Sequence, residues 1–139
     1  MGGADPAHDT TAALIRGRER IFLEHLWSGF TGDKRAAPFE NWKPYVEAMS
    51  RPGVATAGAS YYRSAYRSAD EVRALDGRPL EIPVLSLAGE KGVGVRQEAF
   101  VNAFASNVKA IVVIPGAGHF LAEERPGEVL SALQRFLDD

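Results

Sequence analysis

Two short apolar runs near the C-terminus constrain the fold of this chain more than any other feature. Residues 82–88 and 110–114 are almost uninterrupted aliphatic stretches. Between them lies a helical pattern over residues 96–106, with Phe100 and Val101 expected to face inward. Such runs are typical of strands that are buried on both faces of a sheet. Two buried strands joined by one helix predict a right-handed parallel β-α-β unit. An amphipathic helix that opens at Pro126, with Leu130, Leu133 and Leu137 on its inner face, completes a β-α-β-α order.

A parallel sheet of two strands is not expected to stand alone, because its faces and outer edges need cover. An unpaired strand edge is also an aggregation hazard. We therefore expect the chain to contribute to a larger sheet, or to complete its sheet with a second copy of itself or with another chain. The alternative is a compact α+β domain in which the helices wrap both faces of the sheet.

The part of the chain before these strands is predicted to be helical. A first helix is expected from Asp9 or Thr10 to about Trp27, with Leu14 and Ile21 on its apolar face. A second is expected from Pro38, a third over residues 54–66, and a fourth with a capping box at residues 68–71. The predicted organisation is a flexible N-terminus over residues 1–9, a helical segment over residues 10–78, and the strand-containing part over residues 79–139. The fold class is α/β.

Composition excludes several classes of function. The 139 residues suit one domain, and a net charge of −2 gives no electrostatic case for binding nucleic acid or an acidic membrane. Cysteine is absent, which excludes thiolate metal sites, and three scattered histidines lack ligand spacing, so neither a metal nor a cofactor is expected. No apolar run approaches the ~20 residues of a membrane span, and the N-terminus lacks a signal-peptide pattern. We expect a cytoplasmic protein.

The clearest candidate for chemistry is His119, in the Gly-Ala-Gly-His-Phe stretch directly after the second strand. Parallel sheets carry their sites at the carboxyl ends of the strands, and glycines allow a sharp turn there. Imidazole is suited to general-base catalysis near neutral pH. The alternative is a surface or capping histidine in a tight turn. A dinucleotide-binding motif is disfavoured, because Leu121 stands where the third glycine would be.

Two further side chains are candidates. Glu90 follows the first strand, where an acid that orients His119 would lie; the alternative is a solvated loop charge. Tyr62, on the third predicted helix, could donate a hydrogen bond to a developing oxyanion, or it could simply pack in an aromatic stripe. A nucleophile is missing, since the Gly-x-Ser at Gly58 and Ser60 lacks the closing glycine and lies within a helix.

The order of these features resembles the C-terminal half of an α/β-hydrolase of the epoxide hydrolase and haloalkane dehalogenase branch. The most specific match is Ile-Pro-Gly-Ala-Gly-His-Phe at residues 114–120, followed by Glu-Glu-Arg-Pro at residues 123–126. The resemblance implies that residues 10–76 are the helical cap and that the two strands are the last two of the sheet. It implies that His119 activates the water that hydrolyses a covalent ester, that Tyr62 holds an epoxide oxygen, and that Phe120 contacts substrate.

The resemblance also implies an upstream half with a nucleophile elbow and an oxyanion hole, which this sequence does not supply. The chain is therefore expected to be inactive alone and to act on a small apolar ester or epoxide when complemented. The usual acid position after the first strand is Gly92, so either Glu90 substitutes or the acid comes from the other half. Ser60 departs from the Asn or Asp usual before the cap tyrosine. The alternative function is a non-catalytic or dimeric binding module derived from a hydrolase.

Overall fold

A computed structural model describes residues 10–74 and 77–138, which divide into two compact units. One unit contains residues 10–26 and 39–74, and the other contains residues 27–38 and 77–138. The second unit thus takes in residues 27–38, which the linear prediction assigned to the helical segment. The flexible N-terminus predicted for residues 1–9 lies outside the described residues.

The first unit is helical. Its elements are α1 (Thr10–Ile15), α2 (Glu19–Phe30, with residues 19–26 in this unit), a 3-10 turn (Phe39–Trp42), α3 (Lys43–Met49), α4 (Val54–Arg63) and α5 (Ala65–Arg73). The buried side chains include Ile15, Leu23, Phe39 and Trp42. The Phe39 and Trp42 rings lie 6.0 Å apart, and the Arg20 guanidinium lies 5.0 Å from the Phe39 centroid. Aromatic packing therefore forms much of this core.

The long first helix predicted from the sequence is wrong, because the chain breaks between α1 and α2. Gly17 adopts a φ of +75°, and its N–H donates to the Glu19 carboxylate at 2.8 Å, which starts α2 anew. Because of this break, the apolar face of α1 does not continue along α2. Leu14 and Ile21, both predicted to face inward, are 67% exposed.

The boundary between the third and fourth helices is also corrected. α4 ends at Arg63 and α5 begins at Ala65, with no side-chain cap at its start, so the capping box predicted at residues 68–71 does not begin a helix. The Ser64 hydroxyl donates to the Tyr61 carbonyl at 2.8 Å. Such a bond competes with the backbone ladder and marks the change of helix. The second helix also differs, since a 3-10 turn from Phe39 precedes α3.

The second unit contains the predicted β-α-β-α order. Its elements are β1 (Val84–Gly89), a 3-10 turn (Gly94–Arg96), α6 (Gln97–Asn102), β2 (Val108–Ile114), α7 (Leu121–Glu124) and α8 (Pro126–Asp138). The two strands are parallel, and Gly89 is the register partner of Ile114. Their carboxyl ends therefore lie side by side. Among the described residues the sheet has these two strands.

Some predicted elements of this unit are shorter than expected. The first strand begins at Val84 rather than Ile82, because Pro83 has no N–H to donate to a neighbouring strand. α6 ends at Asn102 rather than near Ser106, since the backbone there bonds to Leu80 instead. Phe100 was predicted to face inward and is 65% exposed, whereas its neighbour Val101 is 1% exposed.

The apolar stripe of α8 is only partly covered. Pro126 opens the helix as predicted, but Ala132 is its buried residue, while Leu130, Leu133 and Leu137 are 56%, 40% and 76% exposed. These leucines were predicted to lie on an inner face. Within the described chain, nothing packs over them closely enough to bury them. None of the described helices is both long enough and apolar enough to cross a bilayer.

A glycine substitution tests the close packing at the strand ends. A Cβ on Gly89 would lie 2.0 Å from the Gly118 carbonyl oxygen, so Gly89→Ala should lower the free energy of unfolding by about 2 kcal/mol or more. Gly58→Ala is the matched control, because open space surrounds that position in α4, and it should stabilise the protein by up to about 1 kcal/mol. Urea denaturation of both variants measures the difference. Equal effects of the two substitutions would contradict this packing.

Candidate functional site

The candidate site lies where β1 and β2 end. Two loops leave the sheet next to each other, because the strands are parallel and end in register. The Glu90 N–H donates to the Ile114 carbonyl at 3.0 Å, and the Lys91 N–H donates to the Ala117 carbonyl at 2.9 Å. The loop after β1 therefore supports the turn that carries His119.

His119 lies at the tip of that turn with an exposed side chain. Gly116 has a φ of +70°, which turns the chain sharply off the strand. The His119 N–H donates to the Phe30 carbonyl at 2.9 Å, and the centroids of the Phe30 and His119 rings lie 5.8 Å apart. The Phe120 ring meets the imidazole edge-on at 5.1 Å. The imidazole is thus flanked by two aromatic rings and accessible to a ligand.

Gly118 allows a distant part of the backbone to approach this turn. A Cβ at this position would lie 2.3 Å from the Phe30 carbonyl oxygen and from the Gly32 nitrogen. The backbone of residues 30–32 therefore approaches the His119 turn more closely than a side chain would allow. The sequence indicated a tight turn here, but not this contact with a segment some 90 residues earlier.

Glu90 contacts the same turn. Its carboxylate accepts the Gly116 N–H at 2.8 Å, which holds the first residue of the turn. In the described part of the chain, no carboxylate forms a hydrogen bond with the His119 ring. The contact of Glu90 is therefore structural, and its role as the acid that orients the imidazole stays a prediction.

Glu124 is a buried carboxylate beside His119 that the sequence pattern did not single out. Its side chain is 2% exposed, and one carboxylate oxygen accepts the N–H groups of Gly32, Asp33 and Gly118 at 2.9, 2.7 and 3.0 Å. The other oxygen accepts the Phe120 N–H at 3.3 Å. In the sequence, only its place in the Glu-Glu-Arg-Pro stretch pointed to Glu124. The hydrogen bonds themselves could not be predicted, because two of the four donors lie more than 90 residues away in the sequence.

An ion pair lies beside this carboxylate. Arg125 Nη2 and Asp33 Oδ2 are 2.9 Å apart, and both side chains are partly buried. The other Asp33 oxygen accepts the N–H groups of Arg35 and Ala36. The hydrogen bond from Arg125, followed by these backbone bonds, lowers the pKa of Asp33 below its ordinary value of 3.8.

A small cavity opens next to His119. Its volume is about 230 Å³, and polar and apolar groups contribute similar shares of its lining: Leu87, Ala88, Gly89, Val93, Gln97, Gly118, His119 and Leu121. Gln97 donates to the Ser86 hydroxyl, which fixes its amide at the cavity wall. A cavity that combines aliphatic side chains with polar groups such as Gln97 and His119 can bind a small organic ligand. Phe120 is half-buried beside His119, and its contact with substrate stays a prediction.

Tyr62 belongs to the helical unit. Its side chain is 77% exposed on α4 and meets the Tyr61 ring edge-on at 5.7 Å. This exposure leaves the hydroxyl accessible, and its role toward an epoxide oxygen stays a prediction. Over the ranges that the structure describes, no three His, Asp or Glu side chains cluster in a way that could hold a metal ion.

The chain is similar in sequence to two epoxide hydrolases. It is 33% identical over 96 residues to epoxide hydrolase A of Mycobacterium tuberculosis, a match that covers 67% of this chain and 29% of that protein. It is 31% identical over 98 residues to epoxide hydrolase 3 of Mus musculus, covering 68% of this chain and 26% of that protein. No family model matches the chain.

Solved structures agree with these relatives. The epoxide hydrolase CorEH superposes with a TM-score of 0.83 at 26% identity, over 98% of this chain and 47% of that one. The Cif epoxide hydrolase from Acinetobacter nosocomialis superposes with a TM-score of 0.79 at 26% identity, over 94% and 42% of the two chains. The chain therefore spans less than half the length of the proteins that it resembles.

The Asp33–Arg125 pair leads to a prediction for acid stability. A carboxyl whose pKa is lowered on folding stabilises the folded state above its unfolded pKa, and this contribution is lost as the pH falls toward the folded value. Below about pH 4, the unfolding free energy of Asp33→Asn should therefore fall less steeply with decreasing pH than that of the unsubstituted chain. Arg125→Gln should reduce this pH dependence in part, because the hydrogen bond from Arg125 is the main cause of the lowered Asp33 pKa.

Urea denaturation at a series of acidic pH values measures this slope. If both variants decline as steeply with acid as the unsubstituted chain, the ion pair does not contribute as described.

Proposed function

Because the chain resembles the C-terminal half of an α/β-hydrolase of the epoxide hydrolase kind, we propose that it supplies the catalytic histidine and the cap of such an enzyme. His119 is the general base that activates a water molecule. The nucleophile and the oxyanion hole lie on sequence outside these 139 residues, so the chain alone is inactive. The position of His119 at the strand ends, exposed and beside a small cavity, is the observation that carries the proposal.

The proposed reaction has two steps. A carboxylate nucleophile attacks an epoxide carbon, the C–O bond breaks, and the ring oxygen takes a proton from Tyr62 as the ester forms. His119 then removes a proton from water, and the resulting hydroxide attacks the ester carbonyl and releases a diol. The proton held by the imidazole returns to Tyr62 through solvent. Imidazole suits this step because it binds and releases a proton near neutral pH.

The substrate class follows from the cavity and the relatives. The small volume of about 230 Å³ and the aliphatic side chains in the lining support a small apolar epoxide or ester as the substrate. The acid that orients His119 is either Glu90, after a shift of its carboxylate away from Gly116, or a residue of the complementing half. We place the protein in the cytoplasm, in line with the sequence expectation.

A second candidate is a binding or assembly module that is not catalytic. The outer edges of β1 and β2 have no strand partner among the described residues, and leucines of α8 remain exposed. A homo-oligomer, or a partner chain that completes the sheet, would bury both features. Sedimentation of the purified chain over a range of concentrations tests this candidate, which predicts a stable dimer. A monomer at every concentration would count against it.

A substitution of His119 tests the proposed catalysis. The chain is co-expressed with the part of epoxide hydrolase A that lies outside the matched region, and hydrolysis of an aryl epoxide is followed. His119→Gln should reduce turnover on the order of 10²–10⁴-fold, because general-base catalysis contributes about that much. The ester should then accumulate, so that intact mass spectrometry finds the nucleophile half heavier by one epoxide.

His25→Gln is the matched control. His25 is exposed on α2 and should be replaceable without loss of turnover. Equal turnover of the His119 variant and the control, without an adduct, would disprove the proposal.

A further inference from the structure

We propose that Glu124 is the positioning residue of His119, a buried carboxylate that fixes the backbone on both sides of the imidazole. The inference deepens the proposed function and rests on it for the catalytic role of His119. The hydrogen bonds by which the Glu124 carboxylate holds the turn do not depend on catalysis. No other ionisable side chain in the described residues is as deeply buried as Glu124, which is 2% exposed.

The donors to Glu124 bracket His119. Gly118 precedes the histidine and Phe120 follows it, and both N–H groups donate to this one carboxylate. The N–H of His119 itself donates to the Phe30 carbonyl. All three consecutive N–H groups of the turn are therefore bound to fixed acceptors. The backbone at His119, and with it the direction of the Cα–Cβ bond, has little freedom left.

The same carboxylate also binds the segment that holds His119 from the other side. Gly32 and Asp33 donate to it, and the Phe30 carbonyl that accepts the His119 N–H lies two residues before Gly32. Arg125, adjacent to Glu124 in the chain, forms its ion pair with Asp33. Two neighbouring residues therefore fix residues 30–33 against the turn. Loss of the Glu124 carboxylate would release both the turn and its support.

The chemistry of the contact requires a carboxylate. Every partner is an N–H donor, so the group at this position has to accept on both oxygens. A buried negative charge is tolerated here because it receives four hydrogen bonds, and bonds to a charged acceptor are stronger than neutral ones. The side-chain amide of a Glu124→Gln variant retains one oxygen for three donors and presents an NH₂ group to Phe120. Glu124→Ala retains none of these bonds.

Amide hydrogen exchange and ring-to-ring NOEs in the NMR spectra of the purified chain test the inference. Glu124→Ala should speed exchange at Gly32, Gly118 and Phe120 by about 10- to 100-fold, as expected for losing a bond to a charged group. The NOEs between the Phe30 and His119 rings should weaken. Glu124→Gln should lie between this variant and the unsubstituted chain at Gly32 and Gly118. Glu98→Gln, an exposed site on α6, is the matched control and should change none of these signals.

The distribution of the changed amide exchange rates along the chain distinguishes a positioning role of Glu124 from a general loss of stability. Positioning predicts that amides in β1 and β2 keep their protection while those of the turn and of residues 30–33 lose it. Uniform loss at strand and turn, or unchanged exchange at the turn, would overturn the inference. In the co-expressed enzyme Glu124→Gln should lower kcat and leave KM within about twofold, because a displaced base weakens the chemical step rather than binding.

The two proposals fail differently. If His119→Gln does not affect turnover, the proposed catalysis is wrong whatever the exchange data show. If His119→Gln abolishes turnover but the Glu124 variants leave the turn unchanged, the catalysis stands and the positioning role is wrong.

Discussion

The buried carboxylate of Glu124 is the contact on which the candidate site depends. It brings together the turn after β2 and the segment that follows α2, which are some 90 residues apart in the sequence. Each of these parts exposes backbone N–H groups that need an acceptor once water is excluded. One side chain satisfies four of them. The backbone can therefore approach closely at Gly32 and Gly118 without leaving unsatisfied donors.

The parallel pairing of β1 and β2 determines which loops meet at the site. Because Gly89 and Ile114 end in register, Glu90 and the His119 turn emerge at the same edge. The pairing uses only one edge of each strand, and the described chain provides no third strand. The exposed leucines of α8 have the same origin, since an amphipathic helix of an α/β fold needs more sheet than two strands offer. Relatives about twice as long provide a larger fold around the matched region.

Elements that depend on local pattern could be predicted from the sequence. The two strands, their parallel order and the start of α8 at Pro126 follow from apolar runs and from the chemistry of proline. The family resemblance was carried by the residues around His119, and the comparisons confirm it. The break at Gly17 was missed, because a single glycine does not interrupt the apolar period that predicts a helix. Glu124 was missed because its donors are distant in sequence, and no local pattern reports a contact between loops.

We infer that this sequence works as part of a larger hydrolase. The decisive measurement is native mass spectrometry of the protein as its source cell produces it. We expect the 15.0 kDa sequence to be found together with a nucleophile-bearing half, either in one longer polypeptide of about twice the mass or as a bound second chain. A free species of 15.0 kDa, with neither a longer chain nor a bound partner, would contradict it.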